Sequence, residues 1–219
     1  MKKTGLYIVF VLLSYSCTYS QTSGNGQGYA KLPAVTPGEH VADFAAGCFW
    51  ASSEALLELK GVNSVVSGYA GGNVVRPTYE AVCSDKTGHA ETVQVYYDPK
   101  IISYAKLVEA FLYAHNPTEL NYQGPDRGTS YRSAIFYRNA EEKAIIQKTI
   151  NQVSASKYYD APIVTQVLPF STFYPAESYH QNYFRLHPES PYIQNVSVPK
   201  ILKLRKKENS LLKPEFQNN

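Results

Sequence analysis

The chain has 219 residues, of which 44% are hydrophobic, and this length and composition predict one domain of ordinary size with an apolar core. Its formal net charge is +3. Two of these positive charges are Lys2 and Lys3, and residues 1–20 contain no acidic residue, so the chain from Gln21 onward carries only +1. This small charge excludes a general nucleic-acid binder. Only Cys48 and Cys83 follow residue 20, so a scaffold stapled by disulfides is not expected.

Residues 1–20 are predicted to be a secretory signal peptide. Lys2 and Lys3 form a short positive region, an apolar stretch occupies residues 6–13, and small residues follow. The apolar stretch is too short to span a bilayer as a helix of the mature protein. We therefore expect an exported protein.

Two processing sites compete within this segment. Cleavage after Ser20 would leave Gln21 as the first residue, whereas cleavage after Ser16 would leave Cys17 first and ready for lipidation. The two alternatives predict a periplasmic protein and a membrane-tethered lipoprotein, respectively. Residues 21–38 begin with a polar, glycine-rich run and are predicted to be a flexible linker.

The folded domain is predicted to occupy residues 39–195. After Cys48, apolar residues recur at helical spacing up to Gly61, namely Ala51, Ala55, Leu56 and Leu59. Apolar, β-branched or alternating runs predict strands at residues 62–69, 91–97, 134–137 and 163–168. Further helices are predicted after the cap residue Ser103 and at residues 141–153 and 176–186, and a turn-rich loop at 121–130. This interleaving predicts an α/β fold, an α+β sandwich in which helices cover a mixed β-sheet.

Cys48 is the residue whose position points most clearly to chemistry. It lies at the start of the first predicted helix, where backbone N–H groups and the helix dipole favour an anion. We therefore expect its thiol to have a pKa below the ordinary value of about 8.5. Phe49 and Trp50 follow it and indicate a nucleophile in an apolar pocket. A lone cysteine is, however, more often a small buried apolar residue.

Four further runs place reactive or hydrogen-bonding groups in similar settings. They are Pro-Thr-Tyr-Glu-Ala-Val-Cys at 77–83, Thr-Gly-His-Ala-Glu-Thr-Val at 87–93, Gln-Gly-Pro-Asp-Arg-Gly-Thr-Ser-Tyr-Arg-Ser at 123–133 and Tyr-Pro-Ala-Glu-Ser-Tyr-His-Gln at 174–181. Together with Gly-Cys-Phe-Trp at 47–50, in this order and at these spacings, they closely resemble the A-type peptide methionine sulfoxide reductases, the MsrA family. The resemblance covers residues 45–192 and implies the ferredoxin-like architecture of that family.

The resemblance assigns the reacting groups. Cys48 would attack the sulfoxide sulfur, and Glu91 would protonate the oxygen so that it leaves as water. Apolar neighbours should raise the pKa of Glu91 and keep it protonated near neutrality. Tyr79 and Tyr131 would donate hydrogen bonds to the same oxygen, as the donors of an oxyanion hole do.

The resemblance also assigns substrate binding. Phe49 and Trp50 would hold the S-methyl group and select the S epimer of methionine sulfoxide, in proteins or as the free amino acid, and Asp126 would orient the substrate at the pocket rim. The implied role is repair of oxidised proteins by a monomer that uses no metal or organic cofactor. Cys48 would be left as a sulfenic acid, to be reduced by a thioredoxin-like thiol.

The chain departs from the family in how that sulfenic acid is resolved. Many relatives carry a cysteine after a tyrosine near the C-terminus, whereas this chain has Tyr192-Ile193 and no cysteine beyond Cys83. Direct attack by an external thiol is the leading hypothesis. Cys83 is a second candidate for the resolving thiol, although it could equally be a structural thiol.

Two rival functions remain open on these residues. A secreted binding module would use the same pocket with an inert Cys48, and a thiol peroxidase would form the sulfenic acid from peroxide. No Cys-x-x-Cys or His-x-x-x-His spacing occurs, so no metal site is predicted.

Residues 196–219 form a basic tail. Five cations alternate with apolar residues from Pro199 onward and predict an amphipathic helix: Lys200, Lys203, Arg205, Lys206 and Lys207. Such a helix either packs on the domain by its apolar side or docks on a membrane surface or an acidic reductase.

Overall fold

A six-stranded mixed sheet lies at the centre of the computed structural model, which describes residues 28–217. In chain order its strands are β1 His40–Ala46, β2 Val62–Ala70, β3 Ala90–Tyr97, β6 Ser133–Tyr137, β7 Gln166–Pro169 and β8 Phe173–Pro175. Their order across the sheet is β7-β6-β1-β3-β2-β8, and neighbours are antiparallel except for the parallel pair β6 and β7. Two short strands, β4 Tyr122–Gln123 and β5 Asp126–Arg127, form a separate hairpin.

Helices accompany this sheet, so the predicted mixed α/β fold is confirmed. They are α1 Phe49–Leu57, α2 Tyr79–Cys83, α3 Tyr104–Tyr113, α4 Ala140–Ala155, α5 Tyr183–Leu186 and α6 Val198–Lys207. The predicted cap of α3 is present, because Ser103 Oγ accepts a hydrogen bond from the Lys106 N–H at 3.3 Å. The apolar residues of α3 form a fully buried stripe: Leu107, Val108, Phe111 and Leu112.

Both faces of β3 are buried. Val93 and Val95 belong to the main core, and Tyr96 belongs to a smaller core on the other face. The polar Gln94 on that second face donates a hydrogen bond to Asp43 Oδ1 at 2.8 Å. An alternating pattern that could indicate one solvent-facing side therefore describes a central strand whose polar residues are satisfied internally.

The predicted helix at 176–186 is wrong. A 3₁₀ turn occupies Ser178–His180, Asn182 adopts a left-handed conformation with φ of 54°, and only Tyr183–Leu186 is α-helical. The Gln181 side chain accepts from the Ser67 N–H at 2.9 Å and donates to the Ser67 O at 3.0 Å. These hydrogen bonds to β2 outweigh the local preference for helix.

Other boundaries also differ from the sequence prediction. The last predicted strand begins three residues late, at Gln166, and β1 was not predicted. The predicted turn-rich loop contains the β4–β5 hairpin. The predicted signal peptide, with Cys17, lies outside the described residues. Within residues 28–217, no helix is long and apolar enough to cross a bilayer.

The basic tail forms α6, which packs against α1. Ile201 and Leu204 are buried in the main core, and Arg205 binds Glu58 through two hydrogen bonds of 2.9 and 2.7 Å. Lys203 and Lys207 lie over the rings of tyrosines at positions 113, 158 and 159. The apolar side of the tail and part of its charge are thus used within the domain.

Candidate active site

A tight turn between β1 and α1 presents Cys48. Gly47 has φ of 73°, and a Cβ at this position would lie 2.5 Å from the Gln123 side chain, so glycine is required by both conformation and space. Cys48 is the N-cap residue of α1, as predicted, and its relative exposure is 5%. The thiol is therefore held at a helix N-terminus and shielded from water.

Glu91 lies beside this turn. It is in β3, is only 2% exposed, and its Oε2 accepts a hydrogen bond from the Phe49 N–H at 2.9 Å. Phe49 is the first residue of α1, so the contact joins the carboxyl to the helix terminus that carries Cys48. A buried carboxyl and a thiol thus lie at the same water-poor helix terminus.

The prediction of a lowered pKa for Cys48 is wrong. Burial raises the pKa of this thiol well above its ordinary value, and the negative charges of Glu91 and Asp126 raise it further. The hydrogen bonds that Cys48 makes with the Tyr192 hydroxyl and with the Trp50 N–H act in the opposite direction. The helix N-terminus does favour the thiolate, but the loss of hydration outweighs it.

Tyr192 connects Asp126 to Cys48. Its hydroxyl donates a hydrogen bond to Asp126 Oδ2 at 2.6 Å and also contacts the Cys48 thiol. Burial raises the pKa of Asp126, and the hydrogen bond from Tyr192 lowers it. From the sequence, Tyr192 only marks the place where many relatives carry a following cysteine, and no pattern there indicates a role at the site.

Aromatic rings surround the start of α1. Phe49 lies 6.4 Å from both Trp50 and Tyr79, measured between ring centroids. Trp50 stacks on Tyr183 at 3.8 Å and meets the edge of Tyr192 at 5.6 Å. The structure therefore brings Phe49, Trp50 and Tyr79 together, and Tyr183 joins them although no sequence signal indicated it.

Glu177 binds Tyr79 and a second tyrosine, Tyr69 of β2. Its Oε1 accepts from the Tyr79 N–H at 3.0 Å, and its Oε2 accepts from the Tyr69 hydroxyl at 2.9 Å. His180, one turn later, accepts a hydrogen bond from Trp50 Nε1 at 3.2 Å. Burial lowers the pKa of His180 to about 3, so this imidazole is neutral. The motif at 174–181 had been noted in the sequence, but not these contacts.

Tyr131 ends a 3₁₀ turn, Thr129–Tyr131, that packs against β3 and the β4–β5 hairpin. It is buried, as expected for a pocket residue. The turn is fixed by Asp85, whose Oδ1 accepts from the Ser130 N–H at 2.8 Å. The turn that carries Tyr131 is thus packed against β3, the strand that contains Glu91, although the two residues are far apart in the chain.

Cys83 is the last residue of α2 and is half-buried. No disulfide joins it to Cys48. A negative charge on Cys83 raises the pKa of Tyr179, which is next to His180. Among residues 28–217 there is also no group of three or more His, Cys, Asp or Glu side chains that could hold a metal ion.

Comparisons with known proteins agree with this arrangement. The family model described as peptide methionine sulfoxide reductase matches residues 40–212. The chain is 48% identical to the peptide methionine sulfoxide reductase MsrA of Thermus thermophilus over 80% of its own length and 99% of the relative. It is 47% identical to the MsrA of Polynucleobacter asymbioticus, over 80% and 92%.

Solved structures show the same fold. Reduced Mxr1 of Saccharomyces cerevisiae superposes with a TM-score of 0.67 at 31% identity, covering 72% of this chain and 91% of Mxr1. Methionine sulfoxide reductase A of Corynebacterium diphtheriae gives 0.63 at 32% identity, covering 76% and 84%. The chain therefore belongs to the peptide methionine sulfoxide reductase family, a family of oxidoreductases, and is of the A type.

Proposed function

We propose that this protein reduces methionine-S-sulfoxide, in proteins and as the free amino acid, to methionine. The observation that carries the proposal is the hydrogen bond from Phe49 to Glu91, which puts a buried carboxyl beside the Cys48 thiol. Sulfoxide reduction needs both a soft nucleophile for the sulfur and a proton for the departing oxygen. The family membership of the chain supports the same reaction.

The proposed reaction transfers two electrons from Cys48. Its sulfur attacks the sulfoxide sulfur, and an S–S bond forms while the S–O bond breaks. The oxygen leaves as water with one proton from Glu91 and the proton released by the thiol. A water molecule then adds to Cys48 Sγ and returns a proton to Glu91, the S–S bond breaks, and methionine leaves. The balance is one sulfoxide and one thiol converted into one thioether and one cysteine sulfenic acid.

The thiol proton has a route out of the site. The Tyr192 hydroxyl contacts Cys48 and donates to Asp126, so its oxygen can accept the thiol proton while its own proton moves to the carboxylate. A transfer of this kind would form the thiolate although burial raises the pKa of Cys48. Asp126 would then act on the nucleophile as well as on substrate orientation.

Selectivity for the S epimer is proposed to come from the aromatic wall. Trp50 is held between Tyr183 and His180, and Phe49 packs against Tyr79. A methyl group placed against Phe49 and Trp50 leaves only one tetrahedral arrangement in which the oxygen meets Glu91, Tyr79 and Tyr131. The R epimer would exchange the methyl group and the oxygen.

Regeneration is proposed to use an external dithiol of thioredoxin type. One thiol condenses with the sulfenic acid and releases water, and the second thiol reduces the resulting mixed disulfide to Cys48. Ile193 is buried where many relatives carry a resolving cysteine. Mxr1, a family member similar to this chain, has been solved in complex with Trx2, and this supports a reductant of that class.

We further propose that the enzyme acts as a monomer outside the cytoplasm, in the periplasm or tethered through Cys17. The support is the positive and apolar pattern of residues 1–20. Mass spectrometry of the mature N-terminus would distinguish Gln21 from a lipidated Cys17.

A single-turnover assay with separated sulfoxide epimers tests the function. Without reductant, we expect one equivalent of methionine per protein from the S epimer, none from the R epimer, and an oxygen added to Cys48. Absence of methionine from both epimers would contradict the reductase and leave the binding module. Faster formation of the sulfenic acid from hydrogen peroxide than from the sulfoxide would favour the thiol peroxidase.

Cys83→Ala tests resolution separately. Because Cys83 is proposed to be structural, this variant should keep both its first turnover and its multiple turnover with a dithiol. Loss of multiple turnover alone would make Cys83 the resolving thiol.

A further inference from the structure

Residues 28–30, here called the N-terminal strap, bind the turn that follows β8. The Ala30 N–H donates to the Ala176 O at 2.9 Å, and the Gly28 O accepts from both the N–H and the Oγ of Ser178, at 3.1 and 2.8 Å. Tyr29 pairs with Glu177 as an antiparallel bridge. The strap lies before residue 40, where the family match begins.

The strap also binds a second loop. The Tyr29 hydroxyl donates to the Arg76 O at 3.0 Å. Arg76 has φ of 48°, a left-handed conformation that is unfavourable for a non-glycine residue and has to be held by its surroundings. It precedes Thr78, whose Oγ1 accepts from the Ala81 N–H and caps α2. The hydroxyl of Tyr29 thus holds the approach to α2.

These two loops meet at Tyr79. Tyr79 is the first residue of α2, and its N–H donates to Glu177 Oε1 at 3.0 Å. Its backbone is therefore held by the chain that enters α2 and by Glu177. The strap makes hydrogen bonds to both supports, through Tyr29 on one side and through Gly28 and Ala30 on the other.

We propose that the N-terminal strap is a positioning element that sets where the Tyr79 phenol meets the sulfoxide oxygen. The inference rests on the proposed function, because it assumes that Tyr79 hydrogen-bonds the reacting oxygen. The positioning residues are Tyr29 and Ala30 of the strap and Ser178, which binds it. None of them touches the reacting atoms. A misplacement of about 1 Å can cost on the order of 100-fold in rate, so loosening one side of the support should cost about 10-fold.

The test is a double-mutant cycle on single-turnover rate. Ala30→Pro removes the N–H that binds Ala176. The matched control is Ala34→Pro, at an exposed alanine four residues beyond Ala30 and outside the strap. We expect Ala30→Pro to slow methionine formation about 10-fold in the otherwise unchanged protein and less than about 2-fold in the Tyr79→Phe background. Ala34→Pro should leave the rate of each background unchanged.

Tyr29→Phe provides a second variant that leaves the backbone of the strap unchanged. It removes only the hydroxyl that binds Arg76, and we expect a fall of about 3-fold that again depends on Tyr79. Circular dichroism confirms that each variant is folded at the assay temperature. Equal falls in both backgrounds, or no fall for either variant, would overturn the proposal. An unmodified protein that forms no methionine would instead overturn the proposed function.

Discussion

The two ends of α1 use buried glutamates in different ways. At its N-terminal end, Glu91 accepts the N–H of Phe49 beside the Cys48 thiol. At its C-terminal end, Glu54 is bound by Arg185 and Glu58 by Arg205, each through two hydrogen bonds of 2.7–3.0 Å. One helix thus joins a carboxyl placed for chemistry to two carboxylates placed in ion pairs.

The surroundings explain the difference. The C-terminal end of a helix is unfavourable for negative charge, so Glu58 needs a counter-charge there. Burial raises the pKa of Glu58, and the hydrogen bonds and charge of Arg205 act against this. At the other end, the negative charge of Glu91 raises the pKa of Cys48, so a proton on either group favours the other's ionised form. In the first arrangement a guanidinium pairs with a buried carboxylate, whereas the second couples the protonation of Glu91 to that of Cys48.

Among substitutions at the two ends of α1, Glu91→Gln should have the largest effect on activity. We expect the single-turnover rate to fall by about 100-fold or more, because the amide cannot give a proton to the oxygen. At a pH high enough to ionise Glu91, alkylation of Cys48 by iodoacetamide should become faster in this variant, because the substitution removes a negative charge beside the thiol. Glu80→Gln, on the exposed side of α2, is the control. A wild-type rate in Glu91→Gln would remove Glu91 from the mechanism.

Arg205→Met should destabilise the other end. It leaves the fully buried Glu58 without its guanidinium, and we expect a loss of about 3 kcal/mol in the free energy of unfolding in urea. The single-turnover rate of the folded protein should stay unchanged. Lys206 is the next residue and is exposed, so Lys206→Met should leave the free energy of unfolding unchanged. A fall in rate without a loss of stability would mean that the two ends do not divide the roles as described.

Arg185→Met sharpens the same point with a smaller effect. The Arg185 side chain is 45% exposed, compared with 18% for Arg205, so solvent screens its pair with Glu54 more strongly. We expect a loss of about 1 kcal/mol in the same urea measurement. A loss equal to that of Arg205→Met would show that exposure does not grade these pairs.

The smallest expected effect is a shift in the pH dependence of Cys48 alkylation relative to that of an ordinary thiol. Because burial raises the pKa of this thiol, the thiolate fraction should increase with pH through a midpoint above the ordinary value of about 8.5. Mass spectrometry of the Cys48 peptide across pH 6–11 would measure it. A midpoint near neutrality would mean that the helix N-terminus outweighs burial after all.

Local patterns predicted much of the fold. The position of Cys48 before α1, the Ser103 cap and the buried stripe of α3 follow from spacing over a few residues. The order of the strands does not, because β1 is alanine-rich and its place between β3 and β6 depends on contacts far along the chain. The motif order supplied the family, which spacing alone would not.

The region after β8 shows where such patterns fail. A helix was predicted there, yet Glu177, His180 and Gln181 form hydrogen bonds with Tyr79, Trp50 and Ser67 in place of a continuous helix. The pKa of Cys48 is a second case. A helix N-terminus, which lowers the pKa of a thiol, can be predicted from sequence. The burial that opposes this effect depends on side chains from distant parts of the chain, namely Glu91, Asp126 and Tyr192.

One buried cysteine, Cys48, is proposed to remove the oxygen from a sulfoxide and leave a thioether. A decisive experiment mixes stoichiometric protein with the S epimer of a methionine sulfoxide peptide, without reductant, and follows methionine and the mass of the Cys48 peptide together. We expect one equivalent of methionine and one added oxygen in the unmodified protein, and neither in Cys48→Ser. Equal methionine formation by Cys48→Ser would contradict a role for this cysteine as the nucleophile.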